Sequence, residues 1–156
     1  MTPASAIHLK DYTPPPYLVD RVELDVDIRP GATVVTSVAE YRRAPGTPAD
    51  RPLVLDGDDL ETLELALDDR ALAGDAYAVA AGRMTLPGVP ERFRLRTVVR
   101  IRPDENTRLS GFYRSKDGYF TQCEAEGFRR ITWFQDRPDV MAVFAVTLHA
   151  DKETFP

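Results

Sequence analysis

The stretch Val22-Glu23-Leu24-Asp25-Val26-Asp27-Ile28 decides the fold. Apolar and acidic residues alternate at every step, so Val22, Leu24, Val26 and Ile28 fall on one side of an extended chain and Glu23, Asp25 and Asp27 on the other. A helix would scatter these residues around its axis. A strand sorts them into a dry face and a wet one. Immediately downstream, Arg29-Pro30-Gly31-Ala32 turns the chain, and Thr33 to Arg43 reads as the partner strand of a long hairpin. Upstream, Tyr12-Thr13-Pro14-Pro15-Pro16-Tyr17 must run extended, because each proline fixes its own backbone and biases its predecessor away from the helix. It reads as a packed lead-in to the first strand, with a proline-rich recognition ligand as the competing account. Met1 to Lys10 shows no periodicity, so residues 1–11 are expected to be a loose tail and residues 12–156 a single domain.

The same alternation continues toward the C-terminus. Ala44 to Asp50 is a loop, Pro52 to Asp56 a short apolar strand, and Leu63, Leu65 and Leu67 alternate again. Gly74 to Gly82 is alanine-rich, yet its length and flanking glycines favour a short strand. Met84 to Leu86 is another, followed by Phe93 to Arg102, with Phe93, Leu95, Thr97, Val99 and Ile101 on one face. The opposite face carries Arg94, Arg96, Arg100 and Arg102. Such a row could bind phosphates, but a solvent face paired with Glu23, Asp25 or Asp27 explains it more simply. Lys116-Asp117-Gly118 closes a hairpin between Gly111 to Ser115 and Tyr119 to Gln122. Phe128 to Phe134 reads as a short helical turn, Pro138 as the start of another, and Val143 to Ala150 as a last strand. Many short strands with almost no helix signal define an all-β fold: an antiparallel β-sandwich or strongly bent sheet, with one or two helical turns near residues 128–142.

Composition limits the function. The 156 residues are 43% hydrophobic, enough for one core. A net charge of -5 argues against a general binder of nucleic acid or anionic membrane, which would need a positive field. The one cysteine excludes an internal disulfide, and no apolar run has membrane-spanning length. These features, with no signal-peptide pattern, point to the cytoplasm.

The stretch Thr121-Gln122-Cys123-Glu124-Ala125-Glu126-Gly127-Phe128-Arg129-Arg130 mixes charges with large apolar groups, as the lining of a cleft or interface does. If the strand continues through it, Gln122 and Glu124 share one face and Cys123 points away, as a core or interface thiol. By residues alone Glu124 reads first as a salt-bridge partner of Arg129 or Arg130, and Arg129 as a brace to Asp136. Glu124 and Glu126 make a poor acid and base pair for glycoside cleavage, since neighbouring strand residues do not flank a bond. Trp133 and Phe134 are core or domain-interface residues. His8 and His149, far apart in sequence, form no credible zinc set with Cys123, and His149 reads as an ordinary strand residue.

Gly111-Phe112-Tyr113-Arg114-Ser115, then Thr121-Gln122-x-Glu124, Arg129, Asp136-x-Pro138 and Phe144, in this order and spacing, resemble the zinc aminopeptidases of the aminopeptidase N family. Cys123-Glu124-Ala125-Glu126-Gly127-Phe128-Arg129 is most similar to the bacterial subgroup. The wider family more often has Phe-Pro at Thr132-Trp133, so the likeness to animal members is looser. The resemblance extends from about Tyr12 onward and implies a β-rich N-terminal domain packed on a zinc catalytic domain. Neither His-Glu-x-x-His nor Gly-x-Met-Glu-Asn occurs here, so the chain is expected to be a fragment, inactive alone and binding no zinc itself. The resemblance further implies that Gln122 and Glu124 hold the free α-amine of a peptide substrate, while zinc and its ligands lie in the missing catalytic domain. A stand-alone β-sandwich binding or scaffold module is the alternative. The fragment reading expects an exposed apolar face around Trp133 to Phe144, and with it self-association.

Overall fold

The structure, a computed structural model, describes residues 8–116 and 118–153. The expectations for residues 1–7, for Asp117 in the hairpin turn and for residues 154–156 lie outside the described residues. Among those described, the strands are β1 (Tyr17–Arg29), β2 (Ala32–Arg43), β3 (Leu53–Asp56), β4 (Glu61–Leu67), β5 (Arg70–Ala71), β6 (Ala78–Ala80), β7 (Arg83–Leu86), β8 (Arg92–Ile101), β9 (Gly111–Ser115), β10 (Gly118–Gln122) and β11 (Val143–Ala150). Only short 3-10 turns, at Leu9–Asp11 and Phe128–Arg130, are helical. The fold is all-β. In place of uniform looseness before Tyr12, Leu9–Asp11 coils once with no buried residue.

A six-stranded sheet runs β11-β1-β2-β8-β4-β5, a three-stranded sheet runs β3-β7-β6, and β9 and β10 form a separate hairpin. Valines and leucines from β1, β2 and β8 close one apolar cluster with Leu53 and Leu55 of β3 and Met84 and Leu86 of β7. The two sheets thus bury a shared core. Pro15 is buried, and Tyr12 donates a hydrogen bond to Asp139 at 3.0 Å, so the proline-rich segment is a packed lead-in to β1.

Several expectations need correction. The large sheet is mixed, because β11 lies parallel to β1, with Val22 opposite Phe144 and Val26 opposite Leu148. In β4 the register shifts between Thr62 and Glu64, which turns Leu63 outward and brings Leu65 and Ala66 inward. The arginine row of β8 meets other carboxylates than those of β1, because β2 lies between the two strands and separates them by about 10 Å. Arg94 pairs with Asp69 at 2.6 Å, Arg96 with Glu64, and Arg100 and Arg102 with Glu61 at 2.5 and 3.0 Å. Around Pro138 the chain makes a single turn, closed by Val140 N–H to the Arg137 carbonyl at 3.1 Å, and no second helical element.

The exposed apolar face expected around Trp133 to Phe144 is present over part of that stretch. Trp133 and Phe134 are 5% and 4% exposed. Trp133 covers Gly57, where a Cβ would stand 2.3 Å from its ring, and its Nε1–H bonds Thr62 at 2.8 Å. Phe134 exchanges both backbone hydrogen bonds with Asp56. Exposed apolar residues gather at Met141 and, along β11, at Val143, Phe144, Val146 and Leu148, the last 64% exposed on the outer edge of the sheet.

Candidate functional site

The β9–β10 hairpin carries the candidate residues out of the sheets. It is fastened by Asp104, which accepts hydrogen bonds from Arg114 at 2.9 Å, from the Tyr119 hydroxyl at 3.2 Å and from Gly31 N–H at 3.3 Å. Partial burial pushes the Asp104 carboxyl up, but these hydrogen bonds and the Arg114 charge outweigh it and hold the group below its ordinary range. Gly111, opposite Gln122, has φ +74°, and a Cβ there would lie 2.4 Å from the Arg130 Cβ. A side chain at this position would push the hairpin off the turn that follows.

The strand ends at Gln122, and Glu124 does not continue it. Gly127 N–H bonds back to the Cys123 carbonyl at 2.8 Å, so residues 123–127 fold into a tight turn that contains a cis peptide bond between Glu124 and Ala125. Gly127 is buried, and a Cβ there would lie 2.5 Å from the Gln122 carbonyl oxygen. Gln122 and Glu124 are therefore not alternate residues on one strand face. They are neighbours through the turn: the Gln122 side-chain amide donates to the Glu124 backbone carbonyl at 2.9 Å, and both side chains are exposed.

The turn rests on a charged frame. Asp136 accepts from the backbone N–H and the Nε of Arg129, at 3.0 and 2.9 Å, and Arg129 also donates to the Asp136 carbonyl at 2.9 Å. This is the brace expected from the sequence. Glu126 adds a looser contact to Arg129 at 3.4 Å. Arg130, nearly buried, pairs with Asp58 and with Asp59 at 2.8 Å. Both arginines are thus committed to other carboxylates. Among the described residues, Glu124 has no ion-pair partner, which removes the salt bridge that residues alone favoured. Cys123 is half-buried against the core, and burial, reinforced by the Asp136 charge, raises its thiol pKa. A raised pKa disfavours the thiolate a nucleophile needs. His149 stands on β11, 2.7 Å from Asp25.

Asp58 and Asp59, which neutralise Arg130, were not singled out in the sequence, although a paired acid in a turn is a signal for a cationic partner. With Arg130 they line a cavity of about 300 Å³ that also touches Arg102, Arg108 and Phe112 but neither Gln122 nor Glu124. Gln122 and Glu124 lie outside it, exposed on the surface. Among the described residues no three His, Cys, Asp or Glu side chains converge as metal ligands, and no helix is long and apolar enough to cross a membrane.

Residues 90–155 match the Peptidase M1 N-terminal domain family. Within that class the likeness is to aminopeptidase N: the chain is 42% identical over 146 residues to the Caulobacter vibrioides enzyme, covering 94% of this chain and 17% of that protein. It is 40% identical over 146 residues to aminopeptidase N of Escherichia coli, covering 94% of this chain and 16% of that one. The crystal structure of Legionella pneumophila aminopeptidase A in complex with aspartic acid superimposes with a TM-score of 0.87 at 26% identity, over 95% of this chain and 18% of that one. The resemblance to the bacterial aminopeptidase N group thus runs along nearly the whole chain, which spans under a fifth of the curated relatives' length.

Proposed function

We propose that this chain is the amine-anchoring N-terminal domain of a zinc-dependent aminopeptidase N, and that Gln122 and Glu124 bind the free α-amine of a peptide substrate. The observation that carries the reading is the exposed Glu124 carboxylate, without an ion-pair partner among the described residues, on a turn immobilised by Arg129, Asp136 and Gly127. A free amino terminus has a pKa of about 7.7 to 8.0, so a carboxylate beside it keeps it charged and accepts a charge-assisted hydrogen bond. Gln122 spends its NH₂ on the Glu124 carbonyl, which leaves its Oε1 as a second acceptor for the ammonium. An internal peptide bond brings no ammonium and leaves Glu124 unanswered, which selects for chain ends.

The described residues do not fit a zinc ion. In this reading the metal and its ligands belong to a catalytic domain that packs on this one, so hydrolysis requires the longer protein, acting in the cytoplasm on peptides. The test is Glu124→Gln in that full-length protein. Loss of one charged hydrogen bond should lower kcat/KM for peptides by roughly 10- to 100-fold while zinc content stays unchanged. Unaltered kinetics would remove Glu124 from the site.

A further inference from the structure

The segment Gln135-Asp136-Arg137 bonds in two directions. Asp136 holds Arg129, and so the turn that carries Glu124. Its neighbours on both sides reach away from that turn to the lead-in before β1. Gln135, 4% exposed, donates from Nε2 to the Tyr17 carbonyl at 3.0 Å, and Arg137 donates from Nη2 to the Thr13 carbonyl at 2.8 Å. Arg137 N–H also bonds the Gln135 carbonyl at 2.9 Å, which closes a three-residue turn with Asp136 at its centre. Arg137 is itself locked in a bidentate pair with Asp139, at 2.8 and 2.7 Å, and the Tyr12 hydroxyl donates to the same carboxylate at 3.0 Å. The lead-in is thus clasped, across 118 to 127 positions of sequence, by the residues around the carboxylate that braces the anchor turn.

We propose that the lead-in from Tyr12 to Tyr17 is a positioning element of the amine anchor, with Arg137 as the positioning residue that ties it to Asp136. The inference rests on the amine-anchor reading of Gln122 and Glu124. The turn that carries Glu124 is braced by Asp136, so Glu124 is placed no better than that carboxylate is. Asp136 is 9% exposed and stands between two residues held by backbone carbonyls of the lead-in. Pro14, Pro15 and Pro16 fix their own φ, and Pro15 is buried, so a stiff backbone presents those carbonyls. The bidentate pair with Asp139 gives the clasp a direction, because a planar guanidinium fork meets a carboxylate in one orientation. Misplacement of a binding group by about 1 Å can cost on the order of 100-fold in rate. A segment remote in sequence from the anchor thereby sets where the substrate's ammonium is held.

The experiment uses the full-length protein and two inhibitors, leucine hydroxamate and the same hydroxamate without its amine. Both carry one metal-binding group, so the ratio of their inhibition constants isolates the amine contact. Arg137→Ala should lower the preference for the amine by about fivefold and speed amide exchange at Gly127 and Arg129 by about tenfold, with exchange across β1, β2 and β8 unchanged. Tyr12→Phe, which removes one exposed hydroxyl, should move both readouts the same way by about twofold. Exchange in the turn that is unchanged in Arg137→Ala, or faster only in step with the sheet, would overturn the positioning role and mark the clasp as ordinary packing. So would a faster turn with unaltered amine preference, beside a Glu124→Gln enzyme that has lost that preference. The two readings fail separately. If Glu124→Gln keeps the amine preference, the anchor falls and its positioning element with it, even where exchange shows the clasp and the turn to be coupled.

Discussion

The centre of the large sheet and the turn from Cys123 to Arg130 are built by opposite means. Where β1, β2 and β8 meet, Val22, Val35 and Val99 are fully buried, and charge is kept to the outer face in exposed pairs such as Arg94 with Asp69. Such pairs are worth little, and the sheet is held by apolar area. In the turn, shape comes from Arg129 on Asp136, Arg130 on Asp58 and Asp59, and a glycine that no other residue can replace without a clash. Apolar packing tolerates variation in shape, while a charged frame fixes a few atoms in place. The difference separates what keeps the domain folded from what aims Gln122 and Glu124.

Substitutions should resolve the two regions. Leu55→Ala, at a fully buried position, should cost about 2 to 5 kcal/mol in urea unfolding and, in the full-length protein, leave the substrate preference as it was. Asp136→Ala removes the acceptor of two Arg129 hydrogen bonds and should cost about 2 kcal/mol, with a loss of kcat/KM out of proportion to that destabilisation. If activity fell only in step with unfolding, the frame would be ordinary structure. Asp104 offers a pH test. Its carboxyl is held below the ordinary range in the fold, so its contribution is complete above the unfolded pKa of about 4 and is lost as pH falls through the lowered folded value. Asp104→Asn should therefore flatten the acid limb of the urea midpoint against pH, and an unchanged limb would show that the hairpin is fastened by other contacts. Arg94→Ala, on the exposed face, should shift stability by under about 0.5 kcal/mol, and a larger loss would blur the contrast between the regions.

Much of the sheet was legible because period-two alternation reports which side of a strand is buried, and β1, β2 and β8 follow it closely; at β11 it gave the strand but not its burial, since Phe144, Val146 and Leu148 are exposed. The pattern is silent on neighbours. It could not reveal that β2 separates β1 from β8, so the arginines were matched to the wrong acids, nor that β11 joins parallel to β1. At the site, Arg129 with Asp136 could be read because the partners are close in sequence. The turn at Glu124 could not, since it depends on Gly127 packing under the Gln122 carbonyl and on Gly111 making room for Arg130, contacts that no local pattern encodes. Residues alone assigned Glu124 a salt bridge, and the family resemblance supplied the amine-binding role. Trp133 was placed in an interface or a core by size alone, and the bare backbone of Gly57 beneath its ring decides for the core.

The parallel union of β1 with β11 joins segments from opposite ends of the described chain, Arg21 with Val143 and Ile28 with Ala150. On the ribosome, β1 and β2 emerge early and can zip into their hairpin at once, but the far side of β1 stays an unpaired edge until Val143 to Ala150 has left the exit tunnel. Synthesis itself thus sets a window in which a long strand with a ready backbone waits for its partner. Slowing translation after the hairpin codons lengthens that window, and with it the exposure of this edge to chaperones and to other nascent chains.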